Sequence, residues 1–84
     1  MYLGRLSNMD AKFKVGDIVR IVSNDVQPEY VGRTGRISKV YPAYSEKFGN
    51  YFVYRVNVGG KLLKGVACDT DLSLIAEGGS NGKV

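Results

Sequence analysis

The chain of 84 residues has no histidine, no tryptophan and a single cysteine, Cys68. Without His the commonest general base near neutral pH is missing, and with it every Ser–His or Cys–His nucleophilic arrangement. One thiol cannot close an internal disulfide, and no Cys/His cluster has the spacing of a structural metal site. No apolar run is long enough to cross a bilayer, and residues 1–9 lack the apolar stretch of a signal peptide. A free thiol without an export signal leads us to expect a cytoplasmic protein. Together these absences argue against an enzyme, a cofactor, a metal or a membrane partner.

What remains is enough for one small domain. A hydrophobic content of 44% against 24% charged residues belongs to a folded chain rather than a disordered one. A domain of this size buries only about 60% of its unfolded surface, so its core is small. The net charge of +4 is unevenly spread. From Arg33 to Lys64 seven cations face the single acid Glu46, whereas the rest of the chain has five cations and seven acids. One part of the molecule is basic and the other mildly acidic.

The hydrophobic period is that of strands. Gly16-Asp17 makes a turn into a first strand over 18–23, where Val19 and Ile21 share one face and Ile18, Arg20 and Val22 the other. Phe13 and Val15 are positioned to cover it. Residues 23–31 hold Asn, Asp and Pro and read as a long loop. A second strand over 34–41 points Ile37 inward, and Val40, out of phase with Ile37, predicts a bulge or the strand's end. Residues 42–50 read as another loop. Over 51–58, Phe52, Tyr54, Val56 and Val58 alternate with Tyr51, Val53, Arg55 and Asn57, the period of a strand with one face in the core. Gly59-Gly60 reads as a tight hairpin turn into a fourth strand over 61–67. Residues 68–71 form a short helical turn capped by aspartates, and Leu72, Leu74 and Ile75 a last strand.

The expected fold is therefore all-β, a small five-stranded barrel over 13–76, whose near closure removes exposed edges. A flexible extension over 1–12 and a disordered glycine-rich tail over 77–84 flank it.

Gly16, Asp17, Val19 and Ile21, then a loop, then Gly32, Gly35 and Ile37 resemble the motif of KOW-type domains among the SH3-like barrels. That resemblance implies an SH3-like fold and binding to RNA or to proteins, as such domains do in ribosomal proteins and transcription elongation factors. The chain departs from the motif in its long 23–31 loop and its aromatic third strand. Residues 13–17 with 28–35 are also similar to the SH3-like portion of nitrile hydratase β subunits and their small activators. The spacing after Val31 differs there by a residue, and the Trp and His of those proteins have no counterpart.

Of the residues with chemical potential, Cys68 is expected to be a small buried hydrophobe. Asp69 and Asp71 are expected to cap a turn rather than bind a cation, which needs more oxygen ligands. Gly32 and Gly35 lack the Lys-Ser/Thr and helix of a phosphate loop and are expected to shape a turn. Two binding sites remain open. Arg33, Arg36, Lys39, Arg55, Lys61 and Lys64, with Tyr41 and Tyr44, combine cations for phosphates with rings for bases, the pattern of a nucleic-acid interface. Alternatively Tyr30, Tyr41, Tyr44 and Phe48 anchor an acidic protein partner or a second copy of the chain. Phe52 and Tyr54 are assigned to the core.

Overall fold

The fold is organised by one long hairpin, and the short elements pack around its base. A computed structural model describes residues 11–78. Most of the expected extension and tail, residues 1–10 and 79–84, lies outside the described residues.

The first strand, β1 (Ile18–Ile21), leaves a turn in which Asp17 N–H bonds back to the Lys14 carbonyl at 3.0 Å. A 3₁₀ turn at Pro28–Tyr30 interrupts the following loop, where Asn24 Oδ1 accepts the N–H groups of Val26 and Gln27. Then come β2 (Thr34–Ser45) and β3 (Gly49–Val58), paired along most of their length. The sequence predicts a loop over 42–50, but both strands run on, and only residues 46–48 turn. Pro42 is tolerated in β2 because β1 pairs with it only as far as Arg36. Beyond that point no strand among the described residues pairs with that edge of β2, and a missing N–H breaks no ladder there.

Gly59 and Gly60 both take positive φ, 60° and 87°, in the two-residue turn after β3. The predicted fourth strand is broken into β4 (Lys61–Leu62) and β5 (Ala67–Cys68), which pair separately with β3. The described residues therefore hold six strands rather than five. A second 3₁₀ turn at Asp69–Asp71, with the Asp71 carboxylate accepting the Cys68 N–H, leads into β6 (Leu72–Ala76).

All pairings are antiparallel, in the order β4-β3-β2-β1-β6, with β5 beside β3. The result is a small all-β, barrel-like fold. Among the described residues no ladder joins β6 to β4 or β5.

The core follows the predicted faces. Val19 and Ile21 of β1, Ile37 of β2, the four alternating residues of β3 and Leu72 are all buried, with Phe13 and Leu63 beside them. Phe13 covers the sheet as expected, meeting the Tyr54 ring edge-on at 5.2 Å, whereas Val15 is exposed. Leu74 and Ile75 are exposed as well, so β6 contributes Leu72 alone to the core. The phase change at Val40 has its cause in a bulge between Ile37 and Lys39, after which Val40 again packs against the core.

Two glycines of the 32–35 segment differ in role. Gly32 has φ 92° with open space around it, so it serves backbone conformation. Gly35 lies in β2, where an added Cβ would come within 2.7 Å of the Asn57 carbonyl oxygen. Its role is close approach of β2 to β3, not the expected turn.

Among the described residues Asp17 is the buried carboxylate. It accepts the Lys14 N–H at 3.0 Å and the Gly78 N–H at 2.6 Å, tying the end of the described chain to the turn before β1. The chain thus stays packed on the barrel to Gly78, two residues past the barrel boundary expected at 76. Burial pushes the Asp17 carboxyl up, but the N–H groups of Gly78 and Lys14 and the Lys14 charge outweigh it and hold it below the usual value.

Candidate nucleic-acid interface

Strand register sorts the cations that the sequence could only group by position. With Val56 and Tyr54 facing inward, the intervening residues of β3 face out, and their partners on β2 share that face. Arg36 stands opposite Asn57 and Lys39 opposite Arg55. On β1, Arg20 alternates outward between buried Val19 and Ile21, and it pairs with Thr34. Arg20, Arg36, Lys39 and Arg55 therefore occupy one outward surface of three adjacent strands.

Among the described residues no ion pair compensates that surface. Strands β2, β3 and β4 contain no Asp or Glu. Among the described residues the ion pairs are Lys14–Asp17 at 3.4 Å and Lys14–Glu77 at 3.6 Å, and neither involves these four cations. Two of the four are braced by backbone. Arg36 Nη1 donates to the Gly16 carbonyl at 3.2 Å and Arg55 Nη2 to the Leu63 carbonyl at 3.0 Å. The second contact holds the segment between β4 and β5 against β3.

The other predicted cations lie elsewhere. Arg33 precedes β2 and sits over the Tyr30 ring, 5.5 Å from its centroid. Lys61 pairs with Val58, whose side chain faces the core, so it falls on the opposite parity at the hairpin end. Lys64 follows the break in the fourth strand and donates its backbone N–H to Gln27 Oε1. It lines a depression that also includes Asp25 and Asp71. Three of the six predicted cations, Arg36, Lys39 and Arg55, share the face. Arg20, outside the basic span, completes it. The alternation of β1 already put Arg20 outward, and only the pairing of β1 with β2 could join it to the set.

The rings divide in the same way. Tyr41 follows Lys39 on the outward face, opposite Val53, and is exposed. Tyr51 lies one row further, opposite Ala43, and is half-buried. Tyr44 and Phe48 are the most exposed aromatics among the described residues, at 67% and 73%, near the hairpin end. Phe48 carries Lys47 over its ring at 5.3 Å. Tyr30 is partly buried against the core and is not a free anchor. Tyr54, fully buried, donates to Asp69 Oδ1 at 2.8 Å and accepts the Phe13 N–H. Burial and then the Asp69 hydrogen bond push its hydroxyl up to about 12.

Cys68 is exposed, against the expectation of a buried hydrophobe. The break after β4 resets the alternation, and Cys68 pairs with outward Val53. Partial desolvation, then the charges of Asp71 and Asp69, hold its thiol above the ordinary value, the reverse of an activated nucleophile. Beside it a shallow apolar groove runs between Phe48, Tyr51 and Phe52 on one side and residues 68–70 on the other.

Among the described residues no group of three His, Cys, Asp or Glu side chains could hold a metal ion, and no helix is long and apolar enough to cross a membrane. Compared with models of protein families, with curated proteins and with solved structures, the chain matches none.

Proposed function

We propose that the protein is a non-catalytic nucleic-acid-binding module of the cytoplasm, an SH3-like barrel of KOW type that takes a phosphate backbone on the outward face of β1, β2 and β3. The observation that carries this reading is the direct opposition of Lys39 and Arg55, with Arg36 and Arg20 beside them and no acid on β2 or β3. Like charges opposed across a ladder destabilise a sheet. A polyanion laid over them turns that repulsion into binding, with release of its counterions. The KOW-type assignment is supported by the strand order and by the motif positions, with Gly16 at positive φ, Asp17 buried, and Gly35 at the β2–β3 contact. Titration of short labelled oligonucleotides tests the function. Affinity is expected to fall steeply as salt rises, and absence of salt-sensitive binding at low ionic strength overturns the reading.

A second reading has its own support. Tyr44 and Phe48 expose two rings near the end of a long hairpin, a form suited to anchoring a protein partner or a second copy. Sedimentation of the purified protein tests self-association. A pull-down with Tyr44→Ser/Phe48→Ser as control tests a heterologous partner, since loss of a captured protein in that variant alone supports this reading.

A further inference from the structure

We infer that the nucleic acid bound is single-stranded, with phosphates on the cationic rows and bases seated on Tyr41 and in the groove beside Tyr51. The inference rests on the nucleic-acid reading above and specifies the form of ligand that the same face takes.

Along the outward face the cross-strand pairs run Arg36 with Asn57, Lys39 with Arg55, Tyr41 with Val53, and Ala43 with Tyr51. Neighbouring residues on one face of β3 are about 6.8 Å apart. The surface therefore changes from cation to ring within one such step, and Tyr51 stands about 14 Å from Arg55 along the strand. Tyr51 also lines the apolar groove with Phe48 and Phe52, so this one residue joins the outward face, two rows past Arg55, to the groove.

The charges give that surface a direction. The cationic end has no acid on its strands. The groove is bordered by Asp69, whose carboxylate holds the Tyr54 hydroxyl. A phosphate is attracted to the first end and repelled from the second, whereas an uncharged base, with amino groups that suit a carboxylate, fits the second. A duplex keeps its bases stacked inside and presents only edges in its grooves, so against this face it engages the cations and leaves the rings unused. A single strand turns its bases outward and stacks them on rings while its backbone follows the positive rows.

The experiment uses the full chain and three ligands of the same sequence: single-stranded RNA, single-stranded DNA and the DNA duplex. Fluorescence anisotropy at low salt is expected to show both single strands binding at least about tenfold more tightly than the duplex, with stacking on each ring contributing a factor of about 5 to 150. Tyr41→Leu, at an exposed position, and Tyr51→Leu are each expected to lose a factor in that range for single strands. The salt slope stays unchanged, because no phosphate contact is removed. The chain has no Trp, so its ultraviolet emission comes from its six tyrosines, and stacking is expected to quench it. Equal affinity for duplex and single strand, or unchanged single-strand affinity in both variants, overturns this inference and leaves the cationic face intact. Failure of all three ligands to bind overturns the nucleic-acid reading and this inference with it.

Discussion

Lys39 and Arg55 stand directly opposite each other across the β2–β3 ladder, just past the bulge in β2 and on the outward face of the sheet. Neither forms an ion pair among the described residues, and the Arg55 guanidinium is drawn toward the Leu63 carbonyl instead. The fold carries this repulsion where a neutral pair would serve it better.

Lys39→Glu separates stability from function, because it converts a like-charge pair into an opposite one. Thermal or denaturant unfolding is expected to show a gain of about 0.2–1 kcal/mol. Oligonucleotide affinity is expected to fall by at least about tenfold, since the variant removes one cation and adds an anion on the same row. A variant that loses stability and retains affinity contradicts the role given to the pair.

Gly35→Ala tests the close approach of β2 to β3. Its Cβ would meet the Asn57 carbonyl oxygen at 2.7 Å and the Val56 and Val58 methyl groups at 2.8 and 2.9 Å. A shift of the strands costing about 1–3 kcal/mol is expected from urea unfolding. Gly32→Asn is expected to cost less, because space around Gly32 is open and Asn tolerates positive φ.

Asp17 gives the acid limb of stability its sign. Its carboxyl lies below the usual value in the folded protein, so it contributes stability in full above the ordinary aspartate pKa of about 3.9. That contribution is lost as pH falls through the lowered folded-state value. Asp17→Asn replaces a charged acceptor of two backbone N–H groups and is expected to cost about 2 kcal/mol at neutral pH. The difference between variant and parent is expected to shrink as pH is lowered below about 3.9. Urea unfolding at a series of pH values measures it, and a difference independent of pH contradicts the charged role.

The sequence was most legible where one face of a strand decides burial. The alternation in β3 from Phe52 to Val58 and the pair Val19 and Ile21 in β1 indicated the core correctly, and the phase of Val40 marked the bulge. It was least legible where pairing decides. Pro42 reads as a loop residue until β1 is seen to stop pairing at Arg36. The burial expected for Cys68 failed because the strand before it breaks and restarts. The basic span from Arg33 to Lys64 gathers cations that the sheet separates, and it omits Arg20, which the sheet adds. A run of charge reports neighbours along the chain, whereas a binding face is made of neighbours across strands.

The most direct test is therefore the salt dependence of oligonucleotide binding in Lys39→Ala and Lys64→Ala measured side by side. Both remove one positive charge from the basic span, but only Lys39 lies on the shared face. Lys39→Ala is expected to lower affinity and to reduce the slope of log affinity against log salt by about 0.7–0.9, while Lys64→Ala leaves the slope unchanged. Equal losses in both variants, or a loss confined to Lys64→Ala, would contradict the role given to that face.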